Sequence, residues 1–295
     1  MSTDYYLFFK KVFQKKLKSV IFLLLLKPNE TTSGESGQNT LQQPDHIIFC
    51  WLENKDYEQI IGNTDAPFIN SLLKQGTVFS NMHALGHPSY PQYISFFAGT
   101  NNGVTSDNCI DSSNWNIANL YTELKSAQKT FAWYSENLPA TGSTICASGI
   151  YFARHNPTTL FANVPSSQNK KFSDFPADFS ALENVVCITP NIIDDMHSGT
   201  VKQGDLWVQR RLSSLIQWCI SHNSIFVIYF DEDNGESANR IPVIAVGQHV
   251  KTNYQLNTFY DHYNWTRTIC SLMGASTDWT PNLESRETIS GCWNY

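Results

Sequence analysis

The sequence has no surplus of basic residues: 20 Lys and Arg stand against 26 Asp and Glu, a net charge of −6. It therefore lacks the electrostatic footprint of a nucleic-acid binder, and no nucleic-acid partner is expected. Long apolar runs are missing as well. The run from Val20 to Leu26 falls far short of the roughly 20 residues that a membrane-spanning helix needs, and no other segment reads as a stable transmembrane span. No CxxC pair occurs, which argues against a cysteine-held zinc. Internal repeats and heptads are absent too, so a solenoid or coiled coil is not expected.

What is present favours a globular enzyme. Hydrophobic residues make up 41% and aromatics 13% of the 295 residues, enough for a substantial core, and α/β enzymes of this length are often one domain. Residues 1–45 differ from the rest. Lys10, Lys11, Lys15, Lys16 and Lys18 precede the short apolar run, and a Ser/Thr/Gln-rich stretch follows. That order reads as a secretory signal or membrane-proximal anchor plus linker, and points to a secreted or periplasmic protein. Residues 46–295 read as a single catalytic domain. Of the seven cysteines, Cys50, Cys187 and Cys219 sit in apolar runs and read as buried thiols. Cys109 and Cys146 lie in polar, loop-like sequence and are the best candidates for a bridge in an oxidising compartment.

Short apolar, β-branched runs alternate with helical patterns from residue 46 onward. Strands are predicted at His46–Leu52, Thr77–Met82, Thr130–Tyr134, Val185–Thr189, Ile225–Phe230 and Ile241–Val246. Helices are predicted at Ala66–Gln75, Gln92–Ala98, Ile117–Ser126, Asp205–Ser221 and His262–Met273. The alternation predicts an α/β fold with a mostly parallel central sheet sandwiched by helices. Two loop-rich insertions, about 100–116 and 137–180, interrupt it.

Polar residues gather where these runs end. The first strand leads into Glu53-Asn54, the fourth into Thr189-Pro190-Asn191 and Asp194-Asp195-Met196-His197, and the fifth into Asp231-Glu232-Asp233. Ligands of open α/β sheets bind outside the carboxyl ends of strands, and acidic groups there have the composition of a hard-cation site. A single strand-end acid is usually a turn former or cap; three such clusters make a site the better reading. Ser89 precedes an apolar helix with Pro91 in its first turn. It reads either as a simple cap or as a hydroxyl at a helix N-terminus suited to phosphate.

In order along the chain stand Glu53-Asn54-Lys55-x-Tyr57, His87-Pro88-Ser89-x-Pro91-x-Tyr93, His155-Asn156-Pro157, Thr189-Pro190-Asn191 with Asp195-Met196-His197, and Phe230-Asp231-Glu232. This series resembles the phosphoesterase family of acid phosphatases and nonspecific phospholipases C, within the alkaline-phosphatase-like superfamily. Asn102-Gly103-Val104, Gly204-Asp205-x-Trp207 and Tyr260-x-His262-Tyr263 also fit. The resemblance implies that Glu53, Asn54, Ser89, Asp231 and Glu232 hold one divalent metal (Ca, Mg, Mn or Zn), with histidines in place of a second ion. It implies Ser89 as nucleophile through a phosphoserine intermediate, and His155 and His197 as active-site groups whose imidazolium forms bind phosphoryl oxygens and favour an acid optimum. It places Gln92, His87, His262 and Asp195 near the substrate. Gln92 departs from the pattern, because the family has Asn there and that amide contacts phosphate. The expected function is hydrolysis of a small phosphate monoester by an acid phosphatase. The alternatives are a phospholipase C-like phosphodiesterase and a degenerate binder of phosphorylated ligands. The metal's identity, the natural substrate and the oligomeric state are left open by the sequence.

Overall fold

The segment His46–Leu52 contains no acid, Lys, Arg, Gly or Pro, and every residue in it is buried. Such a run suits a strand covered on both faces, and in a computed structural model it forms β1 at the centre of an eight-stranded sheet. The structure describes residues 43–110, 114–235 and 238–294; the signal-like N-terminal segment lies outside the described residues. The other strands are β2 Gly76–Phe79, β3 Phe131–Ser135, β4 Asn169–Lys171, β5 Val185–Thr189, β6 Ser224–Phe230, β7 Val243–Gly247 and β8 Tyr254–Leu256. Their spatial order is β8-β2-β7-β6-β1-β5-β3-β4. All run parallel except β7, which is antiparallel to both neighbours.

Four longer helices cover the sheet: α1 Ser89–Ala98, α2 Leu120–Ser126, α3 Val201–Ser221 and α4 His262–Met273. Side chains alternate across a strand, and Phe49 and Trp51 of β1 point toward α1 and α4. Trp51 meets Phe96 of α1 edge-on at 4.8 Å, and Phe49 meets Trp265 of α4 edge-on at 5.3 Å. Both indoles are fully buried, and truncating a buried ring of this size costs about 3–5 kcal/mol. On the opposite face α3 packs over β6 and β7.

Local chemistry sets the helix boundaries. Thr200 and Gln203 form a capping box that starts α3 four residues before the predicted Asp205. Asp205 instead accepts backbone N–H bonds from Ile69 at 2.8 Å and Phe68 at 3.1 Å, which tethers α3 to the short helix Pro67–Ser71. Asp261 caps α4 through Tyr263 and Asn264, and Gly274 closes it in the left-handed conformation. The bridge expected between Cys109 and Cys146 is present, with Cα atoms 5.7 Å apart. Cys50, Cys187, Cys219, Cys270 and Cys292 are buried thiols. Among the described residues no helix is long and apolar enough to cross a membrane.

Candidate active site

Strands β1 and β6 are parallel neighbours with Leu52 opposite Phe230, so Glu53 and Asp231 leave the sheet side by side. Asn54 turns the chain with φ at +51°, a left-handed conformation that asparagine tolerates better than most residues. Its backbone N–H donates to Asp231 Oδ1 at 3.1 Å. Helix α1 begins at Ser89 itself, three residues earlier than predicted, with Pro88 as its cap residue. Pro91 still falls in the first turn, where no intrahelical N–H bond is lost.

Ser89 Oγ lies 3.0 Å from Glu53 Oε2, 3.0 Å from Glu232 Oε1 and 3.3 Å from Asn54 Oδ1. A hydroxyl carries one proton and cannot donate to three oxygens. The outer amide atom of Asn54 also lies 3.0 Å from Glu53 Oε2 and 3.3 Å from Asp231 Oδ1. Placed there as NH₂ it donates to these oxygens, whereas as oxygen it joins them in facing a common centre with no proton to share. Glu53, Asp195 and Asp231 are fully buried and Glu232 nearly so. Burial, then the charges of Asp231 and Asp195, pushes the Glu53 carboxyl well above its ordinary value. Burial and Asp231 push Glu232 up to about 9, and burial raises Asp231 as well. Crowded oxygens with too few protons and too little compensating charge fit a hard divalent cation held by Glu53, Asn54, Ser89, Asp231 and Glu232.

A second group adjoins the first. Glu53, His155 and Asp195 offer ligand atoms that all lie within 4.8 Å of one another. His155 Nδ1 is 3.1 Å from Asp195 Oδ2, and its Nε2 is 3.6 Å from Glu53 Oε1. Neither His155 Nε2 nor Asp195 Oδ2 has a hydrogen-bond partner, although both are buried. Burial, helped by the Arg154 charge, pushes His155 down to about 3. His197 is half-buried and is lowered by burial and by His155. Burial disfavours the imidazolium form of both rings, because taking a cation out of water works against the pull of the nearby acids.

The remaining expected site residues divide. His87 sits at the rim, with Nδ1 2.8 Å from Glu232 Oε2 and Nε2 3.2 Å from Asp233 Oδ1, where it orients the carboxylates. Asp195 accepts the His197 backbone N–H at 2.8 Å and faces His155 Nδ1 at 3.1 Å, which ties it to both histidines. Gln92 and His262 have protein partners for their polar atoms. The Gln92 amide accepts from Leu85 N–H at 3.1 Å and donates to Pro88 O at 3.4 Å, since its extra methylene carries it into the preceding loop. His262 spends both ring nitrogens at 2.7 Å, one on the Tyr229 hydroxyl and one on the Asp231 carbonyl. It buttresses the backbone behind Asp231.

Two residues were missed as site members. The Tyr93 hydroxyl donates to Glu53 Oε1, and its ring stacks on His155 at 5.7 Å. Tyr93 follows Ser89 by one helical turn, a signal visible in the motif. Arg154 precedes His155 and places Nη2 3.5 Å from His197 Nε2. It sits on the wall of a cavity of about 200 Å³ that Tyr90, Asp107, Phe152 and the Cys109–Cys146 bridge also line.

The fold is like that of solved proteins of the alkaline phosphatase superfamily. A solved member from Vibrio parahaemolyticus superposes with a TM-score of 0.58 at 12% identity, covering 83% of this chain and 69% of that one. Residues 63–275 match the phosphoesterase family. Over 231 residues the chain is 39% identical to a phosphatidylinositol-3-phosphatase of Mycobacterium tuberculosis, covering 78% of this chain and 77% of that one. It is 30% identical over 242 residues to a phosphate-repressible acid phosphatase of Penicillium chrysogenum, covering 75% of this chain but only 57% of the fungal protein. The chain belongs to the phosphoesterase family, and its class of chemistry is the hydrolysis of phosphoric ester bonds.

Proposed function

We propose that the chain hydrolyses phosphate monoesters with Ser89 as nucleophile, assisted by one divalent cation among Glu53, Asn54, Ser89, Asp231 and Glu232. The observation that carries this reading is the Ser89 hydroxyl, set at the first residue of α1 within 3.3 Å of Glu53, Asn54 and Glu232 oxygens. A bound cation would supply Lewis acidity, lowering the pKa of the serine hydroxyl. Ser89 attacks phosphorus, the ester oxygen leaves as an alcohol, and water then releases phosphate from the phosphoserine. The positive end of the α1 dipole favours the phosphoryl oxygens, although the Tyr90 N–H already donates to Asp107 Oδ1 and Pro91 has no N–H. We assign to the half-buried His197 the return of a proton to the leaving oxygen. Because its pKa is lowered, that role is filled only on the acid side, which supports an acid optimum.

The mycobacterial relative is named for removing a phosphate monoester from a phosphoinositide, and the fungal relative is named an acid phosphatase. Both names favour a monoester over a phospholipase C-type diester. The Cys109–Cys146 bridge favours a secreted or periplasmic location. The test is hydrolysis of an aryl phosphate with and without chelator, coupled to acid quench and peptide mapping. Phosphate on Ser89 together with chelator-sensitive turnover is expected; turnover that survives complete metal removal would overturn the reading.

A further inference from the structure

Arg154 ends the turn Ala153–His155, and its side chain is largely buried. Its guanidinium lies over the Phe152 ring at 4.4 Å, which fixes the plane of the fork. The Nε atom is buried and has no hydrogen-bond partner. The nearest carboxylate, Asp107 Oδ2, is 4.0 Å from it, and Asp107 Oδ1 already accepts the Tyr90 backbone N–H at 2.9 Å. The contact to His197 Nε2 is long at 3.5 Å. A buried donor left unpaired is destabilising, and such a group calls for a ligand or a structural reason. The surroundings supply the ligand reading. Arg154 shares its cavity wall with Tyr90, the residue after the nucleophile, and it stands beside both active-site histidines in a site otherwise rich in carboxylates.

We infer that Arg154 is a substrate-binding residue whose guanidinium clamps the non-bridging oxygens of the phosphoryl group being transferred, and so selects dianionic monoesters over monoanionic diesters. This rests on the proposed reading of Ser89 as the attacking group. A planar guanidinium matches two oxygens of one phosphate in a fork. A monoester dianion presents three non-bridging oxygens, two to the clamp and the third to the α1 N-terminus and the cation site. A diester has only two and carries less charge. Stacking on Phe152 pre-orders the fork, so less rotamer entropy is lost when the anion arrives.

The test compares wild type, Arg154→Ala and Arg154→Lys in the full chain with metal supplied. Measured are kcat/KM for 4-nitrophenyl phosphate and for methyl 4-nitrophenyl phosphate, binding of inorganic phosphate by calorimetry, metal content, and Tm. For Arg154→Ala we expect a loss of about 10- to 100-fold in monoester kcat/KM and in phosphate affinity. The diester should lose less than about threefold, and metal content should stay unchanged. Arg154→Lys should recover part of the loss, since a point charge replaces the fork. Phosphate affinity within twofold of wild type in Arg154→Ala, or equal losses on monoester and diester, would overturn the inference. A wild type that turns over neither ester refutes the hydrolytic reading instead, and calorimetry with phosphate still decides the role of Arg154.

Discussion

Removing the cation and adding it back across pH tests the carboxylate cluster directly. Burial and Asp231 hold Glu232 up at about 9, and burial with Asp231 and Asp195 holds Glu53 well above its ordinary range. In ion-free protein at neutral pH these groups therefore keep protons that an incoming cation must expel. Each proton expelled makes the apparent affinity rise about tenfold per pH unit below the group's pKa. From about pH 7 to about pH 9 one proton on Glu232 is worth about fiftyfold, or about 2.3 kcal/mol, and any share from Glu53 steepens the slope. Calorimetric titration of stripped protein in two buffers of different ionisation enthalpy reads both the affinity and the protons released. A flat affinity over that range, or no proton release, would show that these carboxylates are already ionised and refute the reasoning. The sign for stability follows. A carboxyl whose folded pKa is raised binds more protons folded than unfolded, so the ion-free fold is most stable below the unfolded value near 4.5 and loses stability as pH rises toward about 9. The Tm gained on adding metal should therefore be larger at about pH 8.5 than at about pH 5.5.

Ser89→Ala should cut turnover by about a thousandfold or more with Tm nearly unchanged, and no phosphate should be found on the protein after quench; activity within tenfold of wild type removes Ser89 from its role. Tyr93→Phe deletes the hydroxyl that donates to Glu53 Oε1 and leaves that oxygen unpaired. Metal affinity should fall by about 5- to 50-fold, and kcat measured at saturating metal should change less. Gly204→Ala places a Cβ only 2.4 Å from Met196 Cγ and 3.0 Å from the Asp194 carbonyl. Met196 already carries φ of +79° between Asp195 and His197, so relief by backbone movement displaces both neighbours. The expected result is a stability loss of about 1–3 kcal/mol by denaturant melt, with a fall in kcat; an unchanged kcat would show that the Met196 turn does not govern the histidines.

The sequence revealed most of the fold where burial on both faces wrote it into composition. His46–Leu52, Val185–Thr189 and His262–Met273 have the ends that were expected. Asn169–Lys171 was missed because it is a short polar edge strand inside an insertion, paired on one side only with β3. Tyr254–Leu256 was missed at the other edge for the same reason. Within the site, the strand-end acids and Ser89 were legible because a parallel sheet delivers successive strand ends to one edge. The partners of each ring and amide were not. Gln92 and His262 match the family's positions, yet tertiary contacts occupy their polar atoms. Arg154 carried no signal in the sequence, because its setting comes from tertiary contacts with Phe152 and the Asp107 loop.

The Cys109–Cys146 bridge joins two loops that are 37 residues apart in sequence. One carries Asp107, which holds Tyr90, and the other leads through Tyr151–Phe152 into Arg154. None of the oxygens around Ser89 depends on that bond. A thiol reductant should therefore leave the oxygens around Ser89 in place while letting the two walls, and Arg154 with them, drift apart. The chain would keep its capacity to cleave but become less choosy about what it cleaves, and a substrate panel run with and without reductant would reveal whether selectivity is a property of the oxidised form alone.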